Sequence, residues 1–498
     1  MELKLTRETL QFDYLAARGE EQVAIEGEAT LPGSMRDAVT ILSVQAQVHI
    51  GSVQAAAGGA DIRGRVCFQV LYTQGDLTRI RSLETSCTFE HRMLLEGVQP
   101  GMKIGAEAAV QEAEGTAGSG RMTLRALINV EAEAFERVEK ELVTGAEGNA
   151  EALQTLTQTV RLYTGGMLGT GKALVREEFD LPERLGVGEV LSASATASAD
   201  EFSGGNGRIS VSGVVEVRVL HRPAENGDAL VTTVHEVPYE ASIDAVVPEG
   251  AQMSAKAEVT DVMADSAVKD KGRILRAEAE VLVTLRFSRS EEKQMLEDLY
   301  STEGTVLEPV FEQLDIFTSG EIAEARESTR VQAALPANAP PIGRVLAAFA
   351  RPLLSGTKPG GRRLHAEGMM DVTLIYLPAD SDIPYAVRTR EPFFMTFPVE
   401  TGEGAGVHID VIETGIGPST SDRAELRCVL GLRAVRRDVG HIRAVSDVKQ
   451  LPAQKQAHGF VVVWPQEGET RWETARRLRV PQSSLRPAGK RALMAFRK

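Results

Sequence analysis

The stretch Gly166-Met-Leu-Gly-Thr-Gly-Lys-Ala173 has the spacing of a phosphate-cradling loop, G-x-x-x-x-G-K. In that chemistry backbone N–H groups hold the phosphates, the lysine reaches them, and a Ser or Thr hydroxyl in the next position holds magnesium. Ala173 has no hydroxyl, and the stretch reads as a turn before a strand, not as a strand entering a helix, so no nucleotide site is expected. The eight histidines are scattered without an H-E-x-x-H or other ligand spacing. His221 stands where two comparable runs carry tyrosine, which reads as a partly exposed strand end. Cys67, Cys87 and Cys428 show no paired spacing and read as packed thiols. Carboxylates are abundant but do not recur in a pattern that would pair a general acid with a base, so an acidic, solvated surface is expected. No catalytic residue, metal ligand or cofactor is nominated.

Charge is the stronger signal. A net −15 over 498 residues argues against nucleic acid as the main partner, because phosphate binding needs a basic surface. Residues 459–498 carry nine Lys or Arg against three Glu, a local +6 that leaves −21 for the rest. This tail reads as a separate module. Phe460 to Trp464 is a strand, and Thr470-Arg-Trp-Glu473 has the spacing of a capping box at a helix start. Trp472, Ala475 and Leu478 make the apolar face of that helix. Pro481 to Leu485 allows a short second helix and Ala492 to Phe496 a second strand. Arg471, Arg476, Arg477 and Arg486 are contact candidates, since so small a module cannot bury them all.

The elements before the tail are strands arranged three times over. Gly64-Arg-Val-Cys-Phe-Gln-Val-Leu-Tyr72, Gly213-Val-Val-Glu-Val-Arg-Val-Leu-His221 and Gly368-Met-Met-Asp-Val-Thr-Leu-Ile-Tyr376 each place apolar residues two, four and six positions after the glycine, the period of a strand with one buried face. Leu31-Pro32, Leu181-Pro182 and Leu335-Pro336 precede them. Phe89, Tyr239 and Phe393 follow the glycines at 25, 26 and 25 residues. Leu124-Arg125, Leu275-Arg276 and Leu426-Arg427 open a further alternating run at intervals of 151. Landmarks held in order three times predict three copies of one domain of about 150 residues.

The fold class expected is mainly β: three tandem antiparallel sandwich or barrel-like repeats followed by a small α+β (βααβ) module. The boundaries are 1–143, 149–300 and 304–451 for the repeats, 452–458 for a linker and 459–498 for the tail. In the first repeat, strands are predicted at Gln22–Thr30, Thr40–Ile50, Arg63–Tyr72, Arg79–Phe89, Lys103–Gln111 and Met122–Phe135. Glu291 to Leu299, after Ser290 as a cap, reads as a helix. The N-terminus is charged from its second residue and no apolar run approaches 18 residues. Neither a leader peptide nor a membrane span is therefore expected, and the chain is placed in the cytoplasm.

The tail's Gly468-Glu469-Thr470, Trp472, Ala475, Leu478, Val480 and Leu485 resemble the LysM module. The Leu-Pro step, the Val-x-Val-x-Val-Leu-Tyr strand, the following aromatic, the Leu-Arg strand and Tyr300-Ser301-Thr302 resemble the SPOCS domain, the spore-coat-associated repeat. Three such domains before a LysM are similar to SipL-type coat morphogenetic proteins. That resemblance implies a non-enzymatic assembly protein of the mother-cell cytoplasm at the forespore surface, docked to a coat morphogenetic ATPase or other coat proteins. It also implies a LysM-like binding surface at Glu469, Thr470, Arg471, Arg476, Arg477, Arg486 and Pro487. The alternative is a protein of the cortex or cell wall that binds peptidoglycan through N-acetylglucosamine. Glu469 in place of Asp, Arg479 in place of Gly, and Pro487-Ala488 in place of a Leu-Asn pair depart from the sugar-binding pattern and set that reading second. Exposed strand edges would permit self-association.

Overall fold

The computed structural model describes residues 3–31, 39–75, 77–118, 120–149, 152–181, 186–205, 207–224, 229–269, 272–303, 305–320, 322–401, 405–435, 438–452, 459–489 and 492–497. The predicted linker lies, from residue 453, outside them, as do Pro32 and Pro182. The chain is mainly β, with one α-helix among the described residues.

Residues 4–147 form β1 (Lys4–Thr30), β2 (Val39–Ala56), β3 (Gly59–Gln74), β4 (Ile80–Leu94), β5 (Lys103–Gly118) and β6 (Arg121–Glu147). They make two antiparallel sheets, β1-β6-β5 and β2-β3-β4, whose inner faces enclose Ile62, Val66, Phe68, Leu124, Ile128 and Val130. Residues 153–301 form β7 (Leu153–Phe179), β8 (Val187–Ala197), a short β9 (Glu201–Gly205), β10 (Arg208–Pro223), β11 (Val231–Asp244), β12 (Gln252–Lys269) and β13 (Gly272–Ser301). Their sheets run β7-β13-β12 and β8-β10-β11, with β9 on β10.

Residues 306–451 form β14 (Val306–Ser319), β15 (Ile322–Ala334), β16 (Ile342–Pro359), β17 (Leu364–Pro378), β18 (Tyr385–Phe397), β19 (Gly406–Ser419), β20 (Arg423–Val435) and β21 (Asp438–Leu451). The sheets here are β15-β20-β19, β16-β17-β18 and a separate ribbon β14-β21. Among the described residues these are open sheets packed as sandwiches, and no closed barrel forms. The tail adds β22 (Gly459–Val463), α1 (Arg471–Leu478), a 3-10 turn at Gln482–Ser484, β23 (Arg486–Gly489) and β24 (Ala492–Arg497), in sheet order β22-β24-β23. The second helix of the tail is thus a single 3-10 turn.

The glycine-led strands β3, β10 and β17 are the middle strands of their sheets. A Cβ on Gly64, Gly213 or Gly368 would lie 2.5, 1.9 or 2.1 Å from the carbonyl oxygen of His49, Ser198 or Leu353. The ring of Phe89, Tyr239 or Phe393, the direct cross-strand partner of each glycine, closes over the space. Glycine and aromatic are therefore one contact, an aromatic covering a strand glycine.

The outer strands outrun their sandwiches. β1, β6 and β7 have 27 residues and β13 has 30, about 90 to 100 Å at the rise of a strand. Irregularities at Leu15/Ala17 and Leu285/Arg286, and the break between β14 and β15, mark where they leave the sandwich. Beyond that point three two-stranded ribbons bury Leu10, Phe12, Leu142, Val160, Leu162, Met295, Leu314, Ile316 and Ala444 together as a stem. At the other end Leu42, Leu71, Leu191, Leu220, Leu346 and Ile375 form a second shared core. Polar contacts bridge the three stretches between these cores: Glu107 pairs with Arg433 at 2.7 Å and Lys256 at 3.7 Å, and the His49 ring is hydrogen-bonded to Glu258 at 3.1 Å. Burial opposes ionisation of Glu107, but the two cations hold its carboxyl down to about 2.

Three expectations fail. Glu291 to Leu299 is part of β13, not a helix. A register shift between Leu296 and Asp298 breaks the alternation, so Met295, Leu296 and Leu299 mimic helical spacing while they fill the stem core. His221 is completely buried, like Tyr72 and Tyr376 in the sister strands, because the position faces the packed interior and not a strand end. Neither ring nitrogen has a side-chain partner, and burial pushes the imidazole below its ordinary range. The phosphate-loop lookalike, expected as a turn before a strand, lies inside β7, paired with β13. Gly169 and Gly171 let Ile243 of β11 approach to within 3 Å of where a Cβ would stand, and Lys172 pairs with Glu280 at 2.8 Å.

Val217, 1% exposed in the second core, is expected to be intolerant of charge. Val217→Asp should cost about 3 to 5 kcal/mol in denaturant unfolding. Because the folded pKa of His221 lies below its unfolded value, its contribution is intact above about pH 6.5 and declines as pH falls below that value. His221→Phe should flatten the slope of Tm against pH between about 5 and 7, and an unchanged slope would show that His221 is not its source.

Candidate functional site: the C-terminal module and its seat

Thr470 has extended backbone and accepts the N–H of Glu473, while the Glu473 carboxylate accepts the N–H of Thr470 at 2.7 Å. The predicted capping box is formed. The helix ends at Arg479, whose φ of 53° is the left-handed conformation that closes a helix and is costly for a residue with a Cβ. One side of the helix packs on the small sheet, where Ala475, Leu478, Val480, Leu485 and Ala495 are buried.

The module is seated on the end of β13. Trp472 Nε1 donates to Asp298 Oδ2 at 2.7 Å, and Arg476 Nη1 donates to the same oxygen at 2.9 Å. Tyr300 packs edge-on against Trp472 with centroids 4.9 Å apart, and its hydroxyl donates to the Val480 carbonyl at 2.8 Å. Arg479 donates to the carbonyls of Ser301 at 3.1 Å and Thr305 at 3.2 Å. Asp298 is 7% and Tyr300 2% exposed. Burial, reinforced by the Asp298 charge, pushes the Tyr300 hydroxyl far above its ordinary range, so it stays a neutral donor. A buried carboxylate is costly unless paired and hydrogen-bonded, and here the indole and guanidinium meet that cost.

The seven residues expected at the binding surface separate into groups. Glu469 is bound by Arg477, at 2.8 and 3.0 Å, which with the Gln466 N–H holds its carboxyl below the usual range. Thr470 is the helix cap. Arg471 donates to the Leu485 carbonyl and ties the helix start to the 3-10 turn. Arg476 reaches out of the module to Asp298. Arg486 and Pro487 are exposed on β23 and belong to neither arrangement. Trp472, read as core, is core, but its indole nitrogen faces the stem.

Sequence reasoning missed the seat. Tyr300-Ser301-Thr302 reads as a linker, and an aromatic two residues after an acid at a strand end was the signal available for a contact there. Among the described residues no group of three or more His, Cys, Asp or Glu is placed to hold a metal, and no helix is long and apolar enough to cross a membrane.

Residues 37–116, spanning β2 to β5, match the family model described as SipL, SPOCS domain. No curated protein and no solved structure matches the chain. That model describes a sporulation-related, coat-associated domain.

Asp298→Ala strands the Trp472 N–H and the Arg476 charge. It should destabilise the seating by about 2 to 3 kcal/mol and raise hydrogen exchange across 471–480 and 298–302 while the sandwiches stay protected. Unchanged exchange there would show that the seat does not hold the module.

Proposed function

We propose that this chain is a non-enzymatic scaffold of the spore coat that docks a coat morphogenetic ATPase at the forespore surface of the mother cell, with the C-terminal module as the docking element. The match of residues 37–116 to the SipL, SPOCS domain carries this reading. The strand order of that stretch returns at 153–301 and 306–451, which supports three SPOCS-like domains. The capped helix on a three-stranded sheet supports a LysM-like tail. Its excess of six positive charges suits an acidic protein surface and speeds encounter with it.

The full chain should form a complex with the purified ATPase that weakens as salt rises, and should stay in the supernatant when peptidoglycan is sedimented. Retention on peptidoglycan without ATPase binding would move the chain to the glycan-binding class.

A further inference from the structure

In a sheet covered on one side, strands alternate apolar and polar residues, whereas strands covered on both sides read as continuous apolar runs. The tail has two such runs, Gly459-Phe-Val-Val-Val463 in β22 and Ala492-Leu-Met-Ala-Phe496 in β24. Among the described residues, one face is covered. Val461, Val463, Leu493 and Ala495 point to the helix and pack with it. Phe460 pairs with Phe496 and Val462 with Met494 on the opposite face, where they are 80, 50, 49 and 36% exposed, and Trp464 continues the alternation at 66%. The Phe460 and Phe496 rings meet edge to face at 5.0 Å. Five large apolar side chains on one small sheet form a patch of the kind that marks an interaction site.

The charge around this face indicates what covers it. Arg486 lies directly across from Met494, in one row with Val462, and is exposed. The three strands contain no Asp or Glu, so no carboxylate of theirs answers Arg486 on this face. A second copy of the tail would bring the same +6 and the same acid-free strands, so like charge disfavours self-pairing. Three strands at about 4.8 Å spacing give a face roughly 10 to 14 Å wide, the diameter of one helix.

We infer that the open face of the tail sheet, Phe460, Val462, Trp464, Met494 and Phe496 with Arg486 at its rim, is the contact surface of the module and is covered by an amphipathic helix of an acidic partner protein. This rests on the docking reading above and moves the energetically important contacts away from the helix, whose face is engaged by Asp298 and Tyr300. Trp, Phe, Met and Arg are the residue types enriched where interface energy concentrates.

The test uses the full chain and the purified coat ATPase, with affinity read by interferometry at two salt concentrations. The variants are Phe460→Ser/Phe496→Ser, Arg486→Glu and, as a control on the body, Val268→Ser, a residue 84% exposed. Thermal melting checks that these surface changes leave the fold intact. The double variant should lose roughly tenfold or more in affinity, and Arg486→Glu should lose less affinity and show weaker salt dependence. Val268→Ser should bind as the parent does. Parental affinity in both face variants overturns this inference and leaves the docking reading standing. Absence of any complex with the parent removes both. A dimer seen by light scattering, or retention on phosphatidylcholine–phosphatidylglycerol vesicles, that the double variant abolishes overturns it by giving the face to a second copy or to lipid.

Discussion

A two-stranded ribbon cannot bury both of its faces, and three of them in this chain extend beyond the sandwiches that would shelter them. Their mutual burial is the constraint on which the rest of the molecule depends. Leu10 and Phe12, Val160 and Leu162, and Leu314 and Ile316 occupy corresponding places on the three ribbons, so each ribbon is covered by the other two. The sandwiches are thereby set around a common stem, and the second shared core at Leu42, Leu191 and Leu346 fixes them again at the far end. Packing at two levels, with the Glu107–Lys256–Arg433 and His49–Glu258 contacts between, makes one body from what would otherwise be beads on a string.

The tail joins that body through a different kind of contact. The seat is polar at its centre, with one carboxylate oxygen shared by an indole and a guanidinium, and apolar around it, where Tyr300 and Leu156 join the module's own core. The hydrogen bonds set the orientation of the module, because Asp298 accepts both donors in this pose. The side of the helix that carries Trp472 and Arg476 is consumed in the process. What remains open is the reverse face of the sheet, which is more apolar than a solvated surface requires.

Local pattern made much of this legible. Alternation identified the buried faces of β3, β10 and β17, and the glycine and aromatic landmarks turned out to be cross-strand partners. The capping box at Thr470 and Glu473 was readable because its chemistry spans four residues. Other features needed information that local spacing lacks. The bulge after Leu296 made a strand look helical. The strands predicted at Gln22–Thr30 and Met122–Phe135 are only the sandwich portions of β1 and β6, since the stem portions are covered by other ribbons and alternate less cleanly. His221 looked like a surface substitution because buried and exposed strand positions share the same period. The seat joins Tyr300 to Val480, a contact set by tertiary docking and invisible to any window of sequence.

The register of the ribbons shows how often that seat occurs. Asp298 stands opposite Leu156, and the corresponding places on the first and third ribbons are held by Gly145 opposite Thr6 and Asp447 opposite Val310. Where the seat has Tyr300, those ribbons have Glu147 and Lys449, and Asp447 is already paired with Arg7. A threefold plan therefore carries a single mount. Had three separate chains built this stem, each would have brought its own tail. Among the described residues one ribbon end of the three holds the tail, so the stem is unequal about its own axis.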